Sequence, residues 1–515
     1  MKKKTIITTL PLLSVAVLGG IVETNPTNIV NAQVTKTKKV KPTGKKPPKK
    51  PTGKAPSGMK MGIPPNGKGK MGGANTQSYD YKGTLKATVN IASGSKSIGK
   101  KTIKNTKSDQ NTVLVQKTGK VSLTGTKLIK SGNSKNDDNA NFYGLDAILQ
   151  ANGKQAIATV KNAKLMSNAT GANGIFATNK GTVKVSDTKI TTKGKANSRG
   201  LDATYGGKIN AKNVTISTKG DYSAAVATDR GGGTVKASDS TVSTKGTGSP
   251  LVYSTGSISY KNVNGTATGS QIAGMEGYNL ISLENSNLKS TNNKIPGSDP
   301  IKNGVIIYQS MSGDAETSVS KGAVFQAKDS TLSTDISSGA MFYLTNTTGR
   351  IVLSNTNLNF DSDRVDLLNV SGNNSNNWGT KGKNGATLDF TGTKQTLKGD
   401  VVVDTISKLN FYLLNGSNYT GKIKIIANKY ATRSTKTKAP STVNIDKSSK
   451  WIVTGNSTIT NLNLANGGKV VDSDRNTVTI IANGKTVQKG SSKYTVTVTG
   501  NYSTRVTTTK NNQFK

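Results

Sequence analysis

The chain has 515 residues, contains no cysteine and no histidine, and is only 32% apolar and 5% aromatic. The two absences exclude disulfides, zinc fingers and any chemistry that needs a thiolate or an imidazole. The low apolar content favours a repeat protein with a thin core, and the net charge of +44 favours anionic partners.

The first 32 residues are predicted to be a secretory signal peptide. Three lysines at positions 2–4 precede an apolar stretch over residues 5–22, and Val30-Asn31-Ala32 has the small residues of a cleavage site. No other segment approaches the about 20 apolar residues that a membrane helix needs. We therefore expect an exported protein, secreted or associated with the cell surface, without a transmembrane segment in the mature chain.

Residues 33–78 are rich in lysine, proline and glycine and are predicted to form an extended, disordered arm. Within them, residues 36–70 contain twelve lysines, seven prolines and no acidic residue, a composition that cannot bury a core. One interpretation is a soluble spacer. The interpretation that we favour is a polycation that binds anionic envelope polymers such as teichoic acid, capsule, phospholipid head groups or extracellular DNA. The predicted binding residues of the arm are Lys36, Lys38, Lys39, Lys41, Lys45, Lys46, Lys49, Lys50 and Lys54.

The segment 79–430 is predicted to be an all-β, right-handed parallel β-helix, because residues 174–265 repeat one pattern four times. Gly181, Gly207 and Gly233 begin three copies that are 26 residues apart. Each unit contains three short strands in which apolar and polar residues alternate, separated by bends. One coil of a solenoid fits this period, whereas a propeller blade needs roughly 40–50 residues and a left-handed β-helix favours a six-residue period.

Stacking of such coils should place like residues over like. Ile190, Ile216 and Val242 each follow the first glycine of their copy by the same number of residues, so we expect them to form one inward apolar column. An Asp or Asn precedes them at a bend, where these residues bond to their own backbone. This second column either forms a ladder of side chains along the axis, which we favour, or only terminates the strands. Its members are Asp187, Asn213, Asp239 and Asn262.

A third column carries positive charge. The tripeptide Thr-Lys-Gly recurs in three copies, so that Lys193, Lys219 and Lys245 are expected to stack along one edge of the helix. The chain after residue 70 retains a net charge of +30, and a basic stripe attracts polyanions through counterion release. We expect no sequence-specific binding of nucleic acid, since base-reading motifs are absent and aromatic residues are sparse.

Three segments interrupt the repeats and are predicted to be loops. Residues 131–141 form a polar insertion in which Asp137 and Asp138 could bind calcium. They lack the spacing of a calcium loop, however, so a solvated loop is favoured and no metal site is predicted. The segment 295–316 and the surroundings of Trp378 are the other two predicted loops.

The sequence changes character towards its end, where Trp451 begins the run Trp-Ile-Val-Thr-Gly-Asn-Ser and a Leu-x-Leu strand follows at residues 462–464. These residues resemble the last coils of pertactin-like autotransporter passenger domains. The repeat texture is similar to that of the secreted β-strand-repeat proteins of Gram-positive bacteria. The resemblance implies a right-handed parallel β-helix with residues 431–515 as its C-terminal coils and cap, and an adhesin that binds a host surface ligand. Trp451 itself is expected to be a core residue rather than a platform for a ligand.

An enzymatic alternative is a lyase or hydrolase that acts on polysaccharide, an activity that many parallel β-helices have. Glycoside hydrolysis needs two carboxylates about 5–9.5 Å apart on one groove. The acids on the strands that open the units are Asp146, Asp202, Asp229 and Glu276, and Arg199 and Arg230 lie beside two of them.

The spacing of these acids does not favour catalysis. Gly144-Leu-Asp-Ala147 recurs as Gly200-Leu-Asp-Ala203, two coils later, which would separate Asp146 from Asp202 by about 10 Å, slightly too far. Asp202 and Asp229 are one coil apart but offset by two positions, and we expect the arginines to form surface ion pairs. We therefore predict an adhesin-like binding protein that is not an enzyme and needs no cofactor.

Overall fold

The computed structural model describes residues 78–310, 315, 322–374 and 378–515. The predicted signal peptide and the predicted arm, with its candidate lysines, lie outside this part of the chain except for Ser78. The described chain is an all-β parallel β-helix. Two long sheets run along its axis, and two short sheets lie in its later coils.

Sheet A takes one strand from each coil, and these strands pair in parallel with the strands of the neighbouring coils. Its strands are Ala87–Ile91, Asn111–Gln116, Leu149–Asn152, Ile175–Thr178, Leu201–Ala203, Val226–Thr228, Val252–Ser254, Ala273–Glu276, Asn303–Tyr308, Ala340–Thr345, Asp366–Val370, Val401–Asp404 and Ile423–Ile426.

Sheet B contains the strands that follow those of sheet A in each coil, and in the central coils two of them merge into one long bent strand. Its strands are Ser95–Ile98, Thr102–Asn105, Lys120–Thr124, Lys127–Lys130, Ile157–Lys161, Lys164–Ser167, Thr182–Thr192, Gly207–Thr218, Gly233–Thr244, Ser257–Ala267, Leu280–Glu284, Asn287–Ser290, Ala323–Lys328, Thr331–Thr334, Thr348–Ser354, Asn357–Asn359, Thr387–Thr393, Lys408–Leu414, Ser441–Ile445, Asn461–Leu464 and Tyr502–Ser503.

Two short sheets complete the later coils. The strands of sheet C are Thr396–Lys398, Asn418–Thr420, Lys450–Ile452 and Lys469–Val471. The strands of sheet D are Ser457–Ile459, Thr479–Ala482, Lys485–Gln488 and Thr495–Val498. In sheet D, Thr479–Ala482 pairs with Lys485–Gln488 in the antiparallel direction.

The alternation of apolar and polar residues decides which face of each strand is buried. In Thr182–Thr192, the side chains of Val183, Val185 and Ile190 point inward and are at most 3% exposed, while the lysines between them are exposed. Successive copies of the repeat pair without a shift, so that Gly207 lies opposite Gly233. The predicted coil of 26 residues is therefore confirmed.

The predicted inward column is also confirmed. Ile190 pairs with Ile216 and Ile216 with Val242, and none of these side chains is more than 1% exposed. They belong to one apolar core that runs through the described coils. Full burial of a side chain of this size contributes about 1.5–3 kcal/mol.

The Asx column forms two rungs of the predicted ladder. Asp187, Asn213, Asp239 and Asn262 all have φ between 51° and 56°, in the left-handed region that Asn and Asp tolerate better than other side chains. The amide of Asn213 donates to Asp187 Oδ1 at 2.8 Å, and the amide of Asn262 donates to Asp239 Oδ1 at 2.8 Å. These residues therefore both bend the strand and link adjacent coils.

The polar insertion at 131–141 contains a helix, α1, at Asp137–Tyr143, so the prediction of a solvated loop was wrong. Asn136 caps its first turn by accepting from the Asn139 backbone N–H, and Gly144, with φ of 72°, ends it in the left-handed conformation. Ala140 and Phe142 are buried, and their backbone carbonyls accept hydrogen bonds from Asn173 and Thr204, which lie next to strands of sheet A. The sequence gives no clear signal for this helix, because the helix is short and carries few apolar residues.

Of the other two predicted loops, one needs correction and one is confirmed. The segment 295–316 contains Asn303–Tyr308, a regular strand of sheet A that pairs with the strands on both sides. The described residues around Trp378 form a loop, as predicted. Trp378 itself is only 5% exposed, and its ring stacks on that of Tyr308 with 4.2 Å between centroids. Tyr79, at the predicted start of the β-helix, precedes the first strand and packs edge-on against Tyr143 and Tyr205.

Trp451 is a core residue, as predicted. It is fully buried in sheet C, and its indole N–H donates to the Gly421 carbonyl at 2.9 Å. The chain then turns back, and its last residues lie on the outer face of sheet B. There Gln326 donates to the Lys515 carbonyl at 2.6 Å, and Asn512 donates to Thr391 Oγ1 at 2.8 Å. This C-terminal tail covers part of sheet B in the later coils.

The register of the coils can be tested with two nearby positions. Ile216→Asp places an unpaired charge in the core, and we expect it to lower the free energy of unfolding by more than about 3 kcal/mol. Lys219→Asp changes an exposed side chain and should alter the free energy of unfolding by no more than about 0.5 kcal/mol. Chemical denaturation followed by circular dichroism measures both. Similar losses in the two variants would show that the register is wrong.

Candidate polyanion-binding face

The outer face of sheet B in the first half of the described chain is covered with exposed lysines. They occupy outward positions of the strands, between inward apolar residues, and we call them the lysine face. Its members are Lys104, Lys120, Lys127, Lys161, Lys164, Lys184, Lys189, Lys208, Lys212, Lys236 and Lys261.

Strand pairing arranges three members of the lysine face in a column. Lys127 lies opposite Lys164, and Lys164 opposite Lys189, so three successive coils carry a lysine at the same position. Adjacent strands are about 4.8 Å apart, and like charges directly opposite each other destabilise a sheet. A bound polyanion would relieve that repulsion. Clustering that costs stability without a packing gain is typical of a functional surface.

The predicted stripe at 193, 219 and 245 lies beside the lysine face. Thr192, Thr218 and Thr244 pair in register, so the lysines that follow them occupy equivalent positions in successive coils. All three lysines are exposed. The structure thus brings the stripe together as expected. Whether these lysines bind a polyanion remains a prediction.

Few carboxylates interrupt the lysine face. Among the described residues, Lys261 is its one member within ion-pair distance of a carboxylate, at 3.1 Å from Glu284. Asp187 and Asp239 of the Asx ladder also lie on this face. The amide of Asn213 lowers the pKa of Asp187, and the amide of Asn262 lowers that of Asp239, so both carboxylates stay charged. The lysines nevertheless dominate the charge of the surface.

Sequence reasoning found the stripe but missed the lysine face. The signal was present in the alternation of the strands: Lys184 and Lys189 stand at outward positions between Val183, Val185 and Ile190. The stacking of Lys127 on Lys164 was harder to foresee, because their two coils lie outside the clear repeat.

The residues of the enzymatic alternative lie on the outer face of sheet A. Asp202 pairs with Ala227, and Asp229 lies two residues further along the chain, just after the end of that strand, with the offset expected. Arg199 bridges the two carboxylates, with Nη1 at 2.6 Å from Asp202 and Nη2 at 2.8 Å from Asp229. Burial disfavours a charged guanidinium, yet the two carboxylates together raise the pKa of Arg199 above its ordinary value. These ion pairs are buried, not on the surface as predicted.

Glu276 and Arg230 lie on the same face of sheet A. Glu276 is 3% exposed and accepts hydrogen bonds from the hydroxyls of Tyr253 at 3.0 Å and Tyr308 at 3.3 Å. The guanidinium of Arg230 stacks over the ring of Phe142 at 3.7 Å. The structure therefore gathers the five candidate residues, but it binds their charged groups to one another and to aromatic side chains.

Asp146 does not align with Asp202, so that prediction was wrong. Phe176 pairs with both Gln150 and Asp202, which places Gln150 at the position expected for Asp146. Asp146 lies in the turn after α1, fully buried, and its carboxylate is 2.9 Å from Lys130 Nζ. The repeated motif predicted the wrong alignment because Gly144 ends a helix and does not open a strand.

In comparisons with known proteins, no family model and no curated protein matches the chain. The part of the chain that the structure describes has no helix long and apolar enough to cross a membrane. Within those same residues, no three acidic side chains are grouped so that they could share a metal ion.

The buried bridge on sheet A can be tested through Arg199→Met. Asp202 and Asp229 would remain buried after losing the guanidinium that bridges them, so we expect a loss of about 3–5 kcal/mol at pH 7. Part of the loss should be recovered at pH 5. Without the bridging charge, the buried carboxyls would have pKa values above the about 3.9 of an unfolded Asp, and the folded state would bind the extra protons. Chemical denaturation across this pH range measures both effects.

Arg230→Met is the matched control for that experiment. It removes a guanidinium from the same face, where the stacking on Phe142 contributes about 0.5–2 kcal/mol. Equal losses in the two variants, or a loss in Arg199→Met that does not depend on pH, would contradict the role of Arg199 as the bridge between two buried carboxylates.

Proposed function

We propose that this chain is an exported, surface-associated, adhesin-like binding protein. Positive charge retains it at the cell envelope, where its β-helix is presented to glycans or other anionic ligands. The observation that carries this proposal is the lysine face, with Lys127, Lys164 and Lys189 stacked in successive coils. A host surface ligand is a possible further partner.

The physics of the lysine face favours an extended polyanion as its ligand. The column of Lys127, Lys164 and Lys189 runs along the helix axis, so a linear polymer lying over it would meet three ammonium groups in succession, about 4.8 Å apart. The paired backbone holds this array in place before binding, which reduces the ordering cost of association. Release of condensed counterions then drives binding, and the affinity depends on salt. No base-reading element is involved, so we expect no preference for a nucleic-acid sequence.

The arm is proposed to act together with the lysine face. Its lysines and prolines would form a second, flexible polycation, and flexible and rigid sites on one chain strengthen attachment to the same polymer. We also propose kinship with the secreted β-strand-repeat proteins of Gram-positive bacteria. That kinship is supported by the texture of the repeats and by the parallel β-helix.

The alternative function is that of a polysaccharide lyase or hydrolase, which an experiment can distinguish from binding without turnover. Its candidate residues share one face of sheet A, but Arg199 engages Asp202 and Asp229, and tyrosine hydroxyls engage Glu276. We therefore favour binding without turnover. Incubation with a panel of anionic and neutral glycans, with and without calcium, separates the two, because an adhesin leaves the chain length of the glycan unchanged.

The role of the arm is tested by deleting residues 36–70. We expect much of the protein to move from the cells into the medium, because the deletion removes twelve positive charges. Retention of the full chain should fall steeply as salt rises, and the deletion variant should keep a weaker, salt-sensitive attachment through the β-helix. The measurement is cell-associated against released protein over a salt series. A variant retained as tightly as the full chain at every salt concentration would reduce the arm to a spacer.

The role of the lysine face is tested by changing Lys127, Lys164 and Lys189 together to Glu, with inorganic polyphosphate as the probe. We expect affinity at low salt to fall at least about tenfold, and the slope of log K against log salt to become shallower by about 2–3. The reason is that three phosphate contacts are lost.

Lys436, Lys485 and Lys489, changed together to Glu, form the matched control. These lysines are exposed but lie in the later coils, away from the lysine face, and the change in net charge is the same. We expect affinity to fall less than about threefold. Equal losses in the two triple variants would show that only net charge matters and that the column does not form a site.

A further inference from the structure

Lys130 and Asp146 form a closed pair inside the first coils, away from the lysine face. Both side chains are 0% exposed, and Lys130 Nζ lies 2.9 Å from Asp146 Oδ1. Lys130 ends a strand of sheet B and points inward, while Asp146 comes from the turn after α1. From this juxtaposition we propose that the two side chains join covalently, through an amide bond between Lys130 Nζ and Asp146 Cγ.

The hydrogen bonds around Lys130 hold its amine against the carboxyl group of Asp146. Its Nζ donates to the backbone carbonyls of Lys107, at 3.0 Å, and Gly132. Nζ also lies at hydrogen-bond distance from Asp146 Oδ1, 2.9 Å away, and the Asp109 backbone N–H is a second partner of that carboxylate. A simple ion pair would use the third N–H of an ammonium group to bond that oxygen. In a neutral amine, the two donated N–H groups leave the lone pair free to face the carboxyl group.

Burial moves both groups towards their neutral forms. It lowers the pKa of Lys130 and raises the pKa of Asp146 to about 6, against the opposing effect of the partner's charge. The negative charge of Asp109 acts on both groups and raises both pKa values. A neutral amine is a nucleophile, and a protonated carboxyl group is a better electrophile than a carboxylate.

The reaction is a condensation and needs no oxidant or other reagent. The Nζ lone pair forms a bond to Cγ, and the bond between Cγ and its hydroxyl oxygen breaks. One hydrogen leaves Nζ with that hydroxyl as water, and the other stays on the amide nitrogen. The fold favours this reaction because it holds the two reacting groups in direct contact.

The neighbouring coils show why a lysine at this position calls for an explanation. Thr192 and Thr218 occupy inward positions at the end of equivalent strands, and their hydroxyls donate to the backbone carbonyls of Ser198 and Ser223. A short polar side chain is therefore enough to donate to the backbone carbonyl of the bend. Lys130 adds a long cation that must be desolvated, and a covalent bond would remove that charge permanently. In a chain without cysteine, such a bond is a means of fastening the insertion that carries α1 to sheet B.

The test is the mass of the full chain under denaturing conditions. We expect the wild-type protein to be lighter than its sequence by one water, and tandem mass spectrometry of a digest to find a branched peptide that joins Lys130 to Asp146. Asp146→Asn should form the same amide with loss of ammonia instead of water. Lys130→Met should have the full mass of its sequence, and this measurement does not require the variant to fold.

Lys127→Met is the matched control, because Lys127 lies in the same strand but points outward. It should still lose one water. A wild-type protein of full mass, whose Lys130 is acylated by an amine reagent after denaturation, would overturn the proposal and leave the pair as a buried salt bridge. A loss of water without the branched peptide would overturn it as well, since a dehydration elsewhere in the chain has the same mass.

Discussion

The hydrogen-bonded register between successive coils is the constraint on which the rest of this structure depends. Each strand is too short to be stable alone, and its backbone groups find partners only in the coils before and after it. Because Thr182–Thr192 pairs with Gly207–Thr218 without a shift, every side chain of one coil lies over its counterpart in the next. A slip of one residue would turn the apolar column at Ile190 outward and the lysines inward.

The same register has opposite consequences inside and outside the helix. Inside, it stacks aliphatic side chains on one another and excludes water. Outside, it stacks lysines such as Lys127 and Lys164, whose charges repel. The Asx ladder offsets part of this cost, since Asn213 and Asn262 donate across the coils to aspartates that lie among the lysines. The β-helix is thus a rigid scaffold that holds positive charge at short, regular intervals.

Packing from outside the repeat decides which surfaces remain open. Helix α1 and the aromatic side chains around Tyr143 cover one part of sheet A, and the network of Arg199 and Glu276 closes another. The tail that ends at Lys515 covers part of sheet B in the later coils. The lysine face lies in the coils before the part that the tail covers. The uncovered part of sheet B is therefore also its more basic part.

The sequence alone determined the β-helix, its 26-residue coil, the inward column at Ile216 and the Asx ladder, because these features depend on a local period that repeats in register. It could not determine the helix that Gly144 ends, since a short capped helix is stabilised by packing against a sheet formed by distant residues. For the same reason, only the tertiary structure showed that Arg199 bridges two carboxylates and that Asp146 faces Lys130. Those pairs join side chains from different coils or from an insertion, and whether water surrounds them is decided by everything that packs around them.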